Sequence, residues 1–108
     1  MININIAQDF SDAPGGRTIK EGPFSGEEFR RNILIPKYLE AKDTNQRLLI
    51  NFDGAFGYST SFLEESFGGL VRELKIKGTL DAIDIISNED FSLKGDIEKY
   101  VSKAEKDL

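Results

Sequence analysis

The sequence predicts an α/β fold: a single domain over residues 1–108, with a mixed sheet of about four strands layered with about three helices. Three observations carry this. Ile2, Ile4 and Ile6 alternate with Asn3 and Asn5, the period-two mark of a strand with one buried face. Two short apolar runs, Leu48 to Phe52 and Ala82 to Ser87, sit between turn residues and suit buried strands. Three longer stretches repeat apolar residues at helical spacing, two of them behind capping residues.

Taken in order, the first strand runs into Asp12-Ala13-Pro14-Gly15-Gly16, a loop by its turn chemistry. A second short strand is expected at Arg17 to Lys20, hairpinned with the first and stopped by Gly22 and Pro23. Ser25 and Glu28 match a capping box, so a helix starts there with Phe29, Ile33 and Leu34 on one stripe. Pro36 lacks an N–H and is expected to end or kink this helix near Ile35, leaving Tyr38 and Leu39 on a short second piece. Leu48 to Phe52 reads as a central strand buried on both faces, ended by Asp53 and Gly54.

The next helix is the clearest. Phe62, Leu63, Ser66, Phe67, Leu70, Val71 and Leu74 form one continuous face, and Ser61 with Glu64 form a second capping-box pattern. Gly68 and Gly69 inside it each cost about 1 kcal/mol relative to alanine, which predicts close packing against the sheet. Gly78 closes it. After the strand at residues 82–87, a last helix starts near Asp90 or Ser92 and buries Leu93, Ile97, Tyr100, Val101 and Ala104. Its Lys94, Glu98, Lys99, Lys103 and Glu105 form a solvated face.

Composition bounds the chemistry. The chain has 14 Lys plus Arg against 19 Asp plus Glu, a net charge of −5, and neither His nor Cys. Cysteine nucleophiles, disulfides, His–Cys zinc sites and Ser–His–Asp triads are therefore excluded. No enzymatic activity, metal or cofactor is expected. The acidic balance argues against nucleic-acid partners, which require a basic stripe. No apolar run approaches the ~20 residues of a membrane span, and the first residues lack the basic leader of a signal peptide. A cytoplasmic location is expected.

The informative segment is Asn51 to Phe62: a buried strand's carboxyl end, a glycine-containing loop, then Ser59, Thr60 and Ser61 at a helix N-terminus. Ligand sites of open α/β sheets collect at that end of the strands. A hydroxyl there can be a cap, a ligand for a bound phosphate, or itself a phosphorylation site. Arg17 and Lys20 are candidates for clamping an anion, and Asp53 could supply a carboxylate. Asp9, Glu21 and Glu28 complete a polar group whose spacing demands no acid–base role. Phosphate-binding glycine fingerprints are absent. Phe24, Phe56 and Tyr58 either form a partner-binding surface or pack under their own loops.

Two stretches, Glu21-Gly22-Pro23-Phe24-Ser25-Gly26-Glu27-Glu28-Phe29-Arg30 and Gly57-Tyr58-Ser59-Thr60-Ser61-Phe62-Leu63-Glu64-Glu65-Ser66-Phe67-Gly68-Gly69-Leu70, resemble the bacterial STAS-like domain family of unknown function. The resemblance extends from about Arg17 to Tyr100. It implies a fold similar to the STAS domains of sulphate transporters and anti-sigma-factor antagonists. In the antagonists, a hydroxyl at the start of the helix after the central strand is phosphorylated by a partner ATPase of the histidine-kinase-like fold, within the motif Asp-Ser-Ser-Gly-Leu. Setting Leu48 to Phe52 on that central strand without gaps places Ser59 to Leu63 on the motif. Thr60 then takes the phosphorylated position, Ser59 replaces the Asp, and Phe62 stands where the motif has Gly.

The resemblance thus implies a regulatory interaction domain with an anti-sigma-type ATPase or kinase as partner. Its candidate phosphoacceptors are Thr60, Ser59 and Ser61. Its candidate partner-binding residues are Phe56, Gly57, Tyr58, Phe62 and Glu65. The alternatives are an anion- or small-molecule-binding module using the same helix N-terminus with Arg17 and Lys20, a hydrolase whose hydroxyl is activated by Lys or a carboxylate, and a non-catalytic subunit of a larger complex.

Overall fold

Ile2 and Ile4 lie on a strand as expected, but with a different partner from the one expected, in the computed structural model, which describes residues 1–108. Strand β1 spans Ile2–Asn5 and lies parallel to β2, Leu48–Asn51; β2 in turn lies parallel to β3, Ile83–Ile86. The order is β1-β2-β3, with Ile4 opposite Ile50 and Ile50 opposite Ile85. Asn5 ends β1 one residue before Ile6, because its side chain caps a one-turn helix α1, Ile6–Asp9, by accepting from the Gln8 N–H.

The expected mixed, four-stranded sheet is thereby corrected to three parallel strands. Residues 17–20 do not join it. Thr18 opens a 3₁₀ turn, Ile19–Glu21, in which Glu21 accepts from the Thr18 N–H and hydroxyl at 2.9 and 3.1 Å. The backbone carbonyls of Gly16 and Arg17 are taken by the N–H groups of Gly26 and Glu27. These local bonds hold the segment in a turn and against the start of α2, away from β1.

Three long helices cover the sheet: α2 over residues 26–43, α3 over residues 60–74, and α4, Leu93–Lys106. A β1-β2-β3 order with right-handed crossovers puts both crossover helices on one face. Burial agrees: Ile4, Leu48, Ile50 and Ile83 are buried, whereas Asn3, Leu49, Asn51, Asp84 and Ile86 on the opposite face are not. Strand β2 is therefore central but covered on one side only, contrary to the expectation from its apolar run. On the open face Arg47 holds Asp84 in a two-pronged pair at 2.7 and 2.8 Å.

Both crossover helices contain an under-wound π turn, Arg30–Leu34 in α2 and Glu64–Gly68 in α3. The Ile35 N–H reaches back five residues to Arg30 O, and the Gly69 N–H to Glu64 O. The turn in α2 explains why Pro36 neither ends nor divides the helix. A ladder shifted to five-residue spacing removes the clash and the missing bond that a proline imposes on four-residue spacing. Helix α3 ends at Leu74 on Lys75, which adopts the left-handed conformation at φ 57°, rather than at Gly78. One apolar core of 20 residues lies between the helices and the sheet.

Candidate functional site

The carboxyl ends of the three strands share one side of the molecule, and the loops that leave them are tied to one another. Asp53, after β2, accepts from the N–H groups of Asn88 and Glu89 at 2.9 and 3.1 Å. Glu89 returns the contact by accepting from the Gly54 N–H at 2.6 Å. The loop after β1 joins through the Phe56 N–H, which donates to Asp12 O at 2.8 Å. Gly54 and Gly57 adopt φ values of 95° and 155°, conformations that let this loop turn without side-chain strain.

Ser59 is the cap of α3, not Ser61. Its hydroxyl accepts from the Phe62 N–H at 3.0 Å and donates to Gly15 O at 3.1 Å. Helix α3 therefore starts at Thr60, two residues earlier than the Ser61–Glu64 pattern implied, and Glu64 turns to Arg17 and Arg72 instead of capping. Thr60 lies at the first helical position with its side chain exposed, and Ser61 follows it, half-buried. Their N–H groups belong to the first turn, which has no partners within the helix and carries the positive end of its dipole.

The aromatic residues separate. Phe56 is 90% exposed. Tyr58 is half-buried, packs edge-on against Phe52 with centroids 5.3 Å apart, and donates its hydroxyl to Phe52 O at 2.8 Å. Burial, with Asp53 and Glu89 nearby, pushes its phenol well above the ordinary value. Phe62 is wholly buried beside Phe29 and Tyr58, which removes it from any partner surface. A side chain buried there leaves the approach to Thr60 open. Phe24, at φ 57°, stacks edge-on with Phe10.

The polar candidates are engaged in the fold. Arg17 donates to Glu64 at 2.6 Å and Glu65 at 3.3 Å, so its charge is met by carboxylates rather than free to clamp an anion with Lys20, which stands exposed on the 3₁₀ turn. Glu65 also pairs with Arg30, and that ion pair joins the two π turns. Arg30 itself is buried and donates to Glu65 O at 2.9 Å and Glu73 at 3.1 Å, partners so distant in the chain that local spacing does not announce its burial. Gly69 makes the space: a Cβ there would lie 2.5 Å from Arg30 Nη1. Gly68 similarly lies against Glu64 and Arg72, so the glycine pair accommodates an ion-pair network, not the sheet. Asp9 accepts from the Asn5 N–H and Glu28 from the Phe24 N–H, structural tasks both.

No group of three or more His, Cys, Asp or Glu side chains is placed to hold a metal ion. No helix is long and apolar enough to cross a membrane. A family model described as the STAS-like domain of unknown function (DUF4325) matches residues 25–90, from the cap of α2 to the loop before α4. No curated protein and no solved structure matches the chain.

Proposed function

The chain belongs to the family of STAS-like domains of unknown function, and from that premise we propose that it is a non-catalytic regulatory interaction domain, similar to an anti-sigma-factor antagonist and switched by phosphorylation of Thr60. The observation that carries this reading is the division of labour among the three hydroxyls. Ser59 supplies the cap and the tie to Gly15, while Thr60 is displayed on the first turn of α3. Modifying Ser59 would break the cap; modifying Thr60 leaves it intact.

The partner supplies the catalysis. Thr60 Oγ1 attacks the γ-phosphorus of ATP held by a histidine-kinase-like ATPase, the bond from that phosphorus to ADP breaks, and the hydroxyl proton passes to a base on the partner. The product carries about −2 charge at the positive end of α3. That charge leaves the fold in place and changes the surface formed by the loop at residues 55–58. The anion-clamp alternative loses support from Arg17, whose guanidinium faces Glu64 and Glu65.

The test is a pull-down from host lysate with and without ATP, reading the bound proteins and the mass of the bait. An ATPase-fold partner together with a gain of about 80 Da, one phosphoryl group, lost in Thr60→Ala, is expected. An unchanged mass in both conditions, or a phosphoryl group mapped to Ser59, overturns the switch.

A further inference from the structure

Phe56 and Phe91 are the most exposed large apolar side chains of the protein, at 90% and 88%. They stand on neighbouring loops, Phe56 after β2 and Phe91 just before α4. Those loops are held together by the reciprocal bonds of Asp53 and Glu89. The two rings are thus displayed on a braced frame rather than on free loop tips. An exposed aromatic ring held on an ordered frame is a ready anchor, and such anchors supply much of the energy when a partner covers them.

Charge identifies the occupant. The three segments that follow the strands, residues 6–16 (helix α1 and the loop after it), 52–59 and 87–92, contain Asp9, Asp12, Asp53, Glu89 and Asp90 but no Lys or Arg. The chain as a whole has 14 basic residues, so their absence from these three segments is a local feature. We propose that the carboxyl edge of the sheet docks a Lys/Arg-rich polypeptide surface whose apolar side chains seat on Phe56 and Phe91. This rests on the reading of the chain as an interaction domain and specifies the chemistry of its partner. Attraction between such surfaces speeds encounter and is weakened by salt.

The test titrates the ¹⁵N-labelled full chain with a synthetic peptide alternating Lys with Leu, against a Glu/Leu peptide and a Lys/Ser peptide as controls. The Lys/Leu peptide is expected to shift resonances in residues 53–58 and 87–92, and to bind about tenfold more weakly to Phe56→Ser/Phe91→Ser. Both rings are exposed, so the double variant should retain the wild-type circular dichroism. Binding should also weaken as salt rises from about 0.05 to about 0.3 M. Equal affinity for the double variant, equal binding of the Lys/Ser or Glu/Leu peptide, or shifts confined to α4 overturns the proposal. A dimer that forms without peptide and disappears in the double variant also overturns it, by making a second copy the occupant. The peptide experiment needs neither ATP nor a kinase, so its failure leaves the Thr60 switch standing, and failure of the switch leaves the docking result intact.

Discussion

Gly69→Ala tests whether buried Arg30 dictates the glycine. On an ordinary helix this change stabilises by about 1 kcal/mol. Here the new Cβ would lie 2.5 Å from Arg30 Nη1 and 3.0 Å from its Cδ. The guanidinium cannot retreat freely, because it donates to the Glu65 carboxylate, to Glu65 O and to Glu73. Losing one charged hydrogen bond costs about 1.5–3 kcal/mol. The net expectation is a loss of about 0.5–2 kcal/mol, the bond outweighing the propensity gain. In Arg30→Met the guanidinium is gone and no hydrogen bond pins the flexible thioether, which can turn away from the new Cβ, so the same Gly69→Ala change should stabilise by about 1 kcal/mol. Arg30→Met alone should cost about 2–3 kcal/mol, below the usual figure for breaking a buried pair, because Glu65 keeps Arg17 at 3.3 Å and Glu73 is about half exposed. The double-mutant cycle then has a coupling of about 1.5–3 kcal/mol. Urea unfolding of the four proteins measures it. If Gly69→Ala has the same effect in both backgrounds, α2 and α3 have moved apart to admit the Cβ, and the argument that the arginine requires the glycine is refuted.

Thr79 is fully buried and its hydroxyl has no hydrogen-bond partner. Thr79→Val keeps the shape, removes the orphan group, and should raise stability by about 1 kcal/mol, read as an increase of about 4 °C in Tm. The hydrogen bond from Arg72, reinforced by Arg17, holds the Glu64 carboxyl below its ordinary value of 4.5 even though burial opposes this. A depressed folded-state pKa contributes stability that is fully present above about pH 4.5 and lost as pH falls through the folded value. Thermal unfolding between pH 7 and pH 3 should therefore show Tm falling on the acid side, less steeply in Glu64→Gln; parallel curves would remove Glu64 from the account.

The fold was legible where a single local rule decides. Alternating isoleucines gave β1, and Ser25 does cap α2, accepting from the Glu28 N–H at 3.1 Å. The third strand followed from its apolar run between turn residues, and the stripe of α4 from periodicity. What escaped was set by the backbone ladder or by distant partners. The face from Phe62 through Ser66 and Leu70 to Leu74 steps by four residues each time, whereas a regular helix has about 3.6 per turn. Such a stripe drifts around a regular helix, and the under-wound turn at Glu64–Gly68 helps keep it facing the core. In α2 the buried Phe29 and Leu34 are five apart across the other π turn, the same signal in a different place. Both could have been read from spacing. The burial of Arg30 could not, since its carboxylate partners Glu65 and Glu73 come from α3, 35 and 43 positions away.

The candidate site follows from that same topology. With β1, β2 and β3 in sequence order and parallel, every strand exits on the same edge, so three separate loops must meet there. Loops that meet must satisfy each other's backbone groups, and here Asp53, Glu89 and Ser59 do so. The carboxylates that brace the edge also leave it acidic, and the hydroxyl that caps α3 leaves Thr60 displayed beside it. Stability and recognition at this edge therefore draw on the same residues. Substituting Asp53 or Glu89 would disturb both at once, whereas Phe56, Phe91 and Thr60, exposed in the free protein, separate binding from folding.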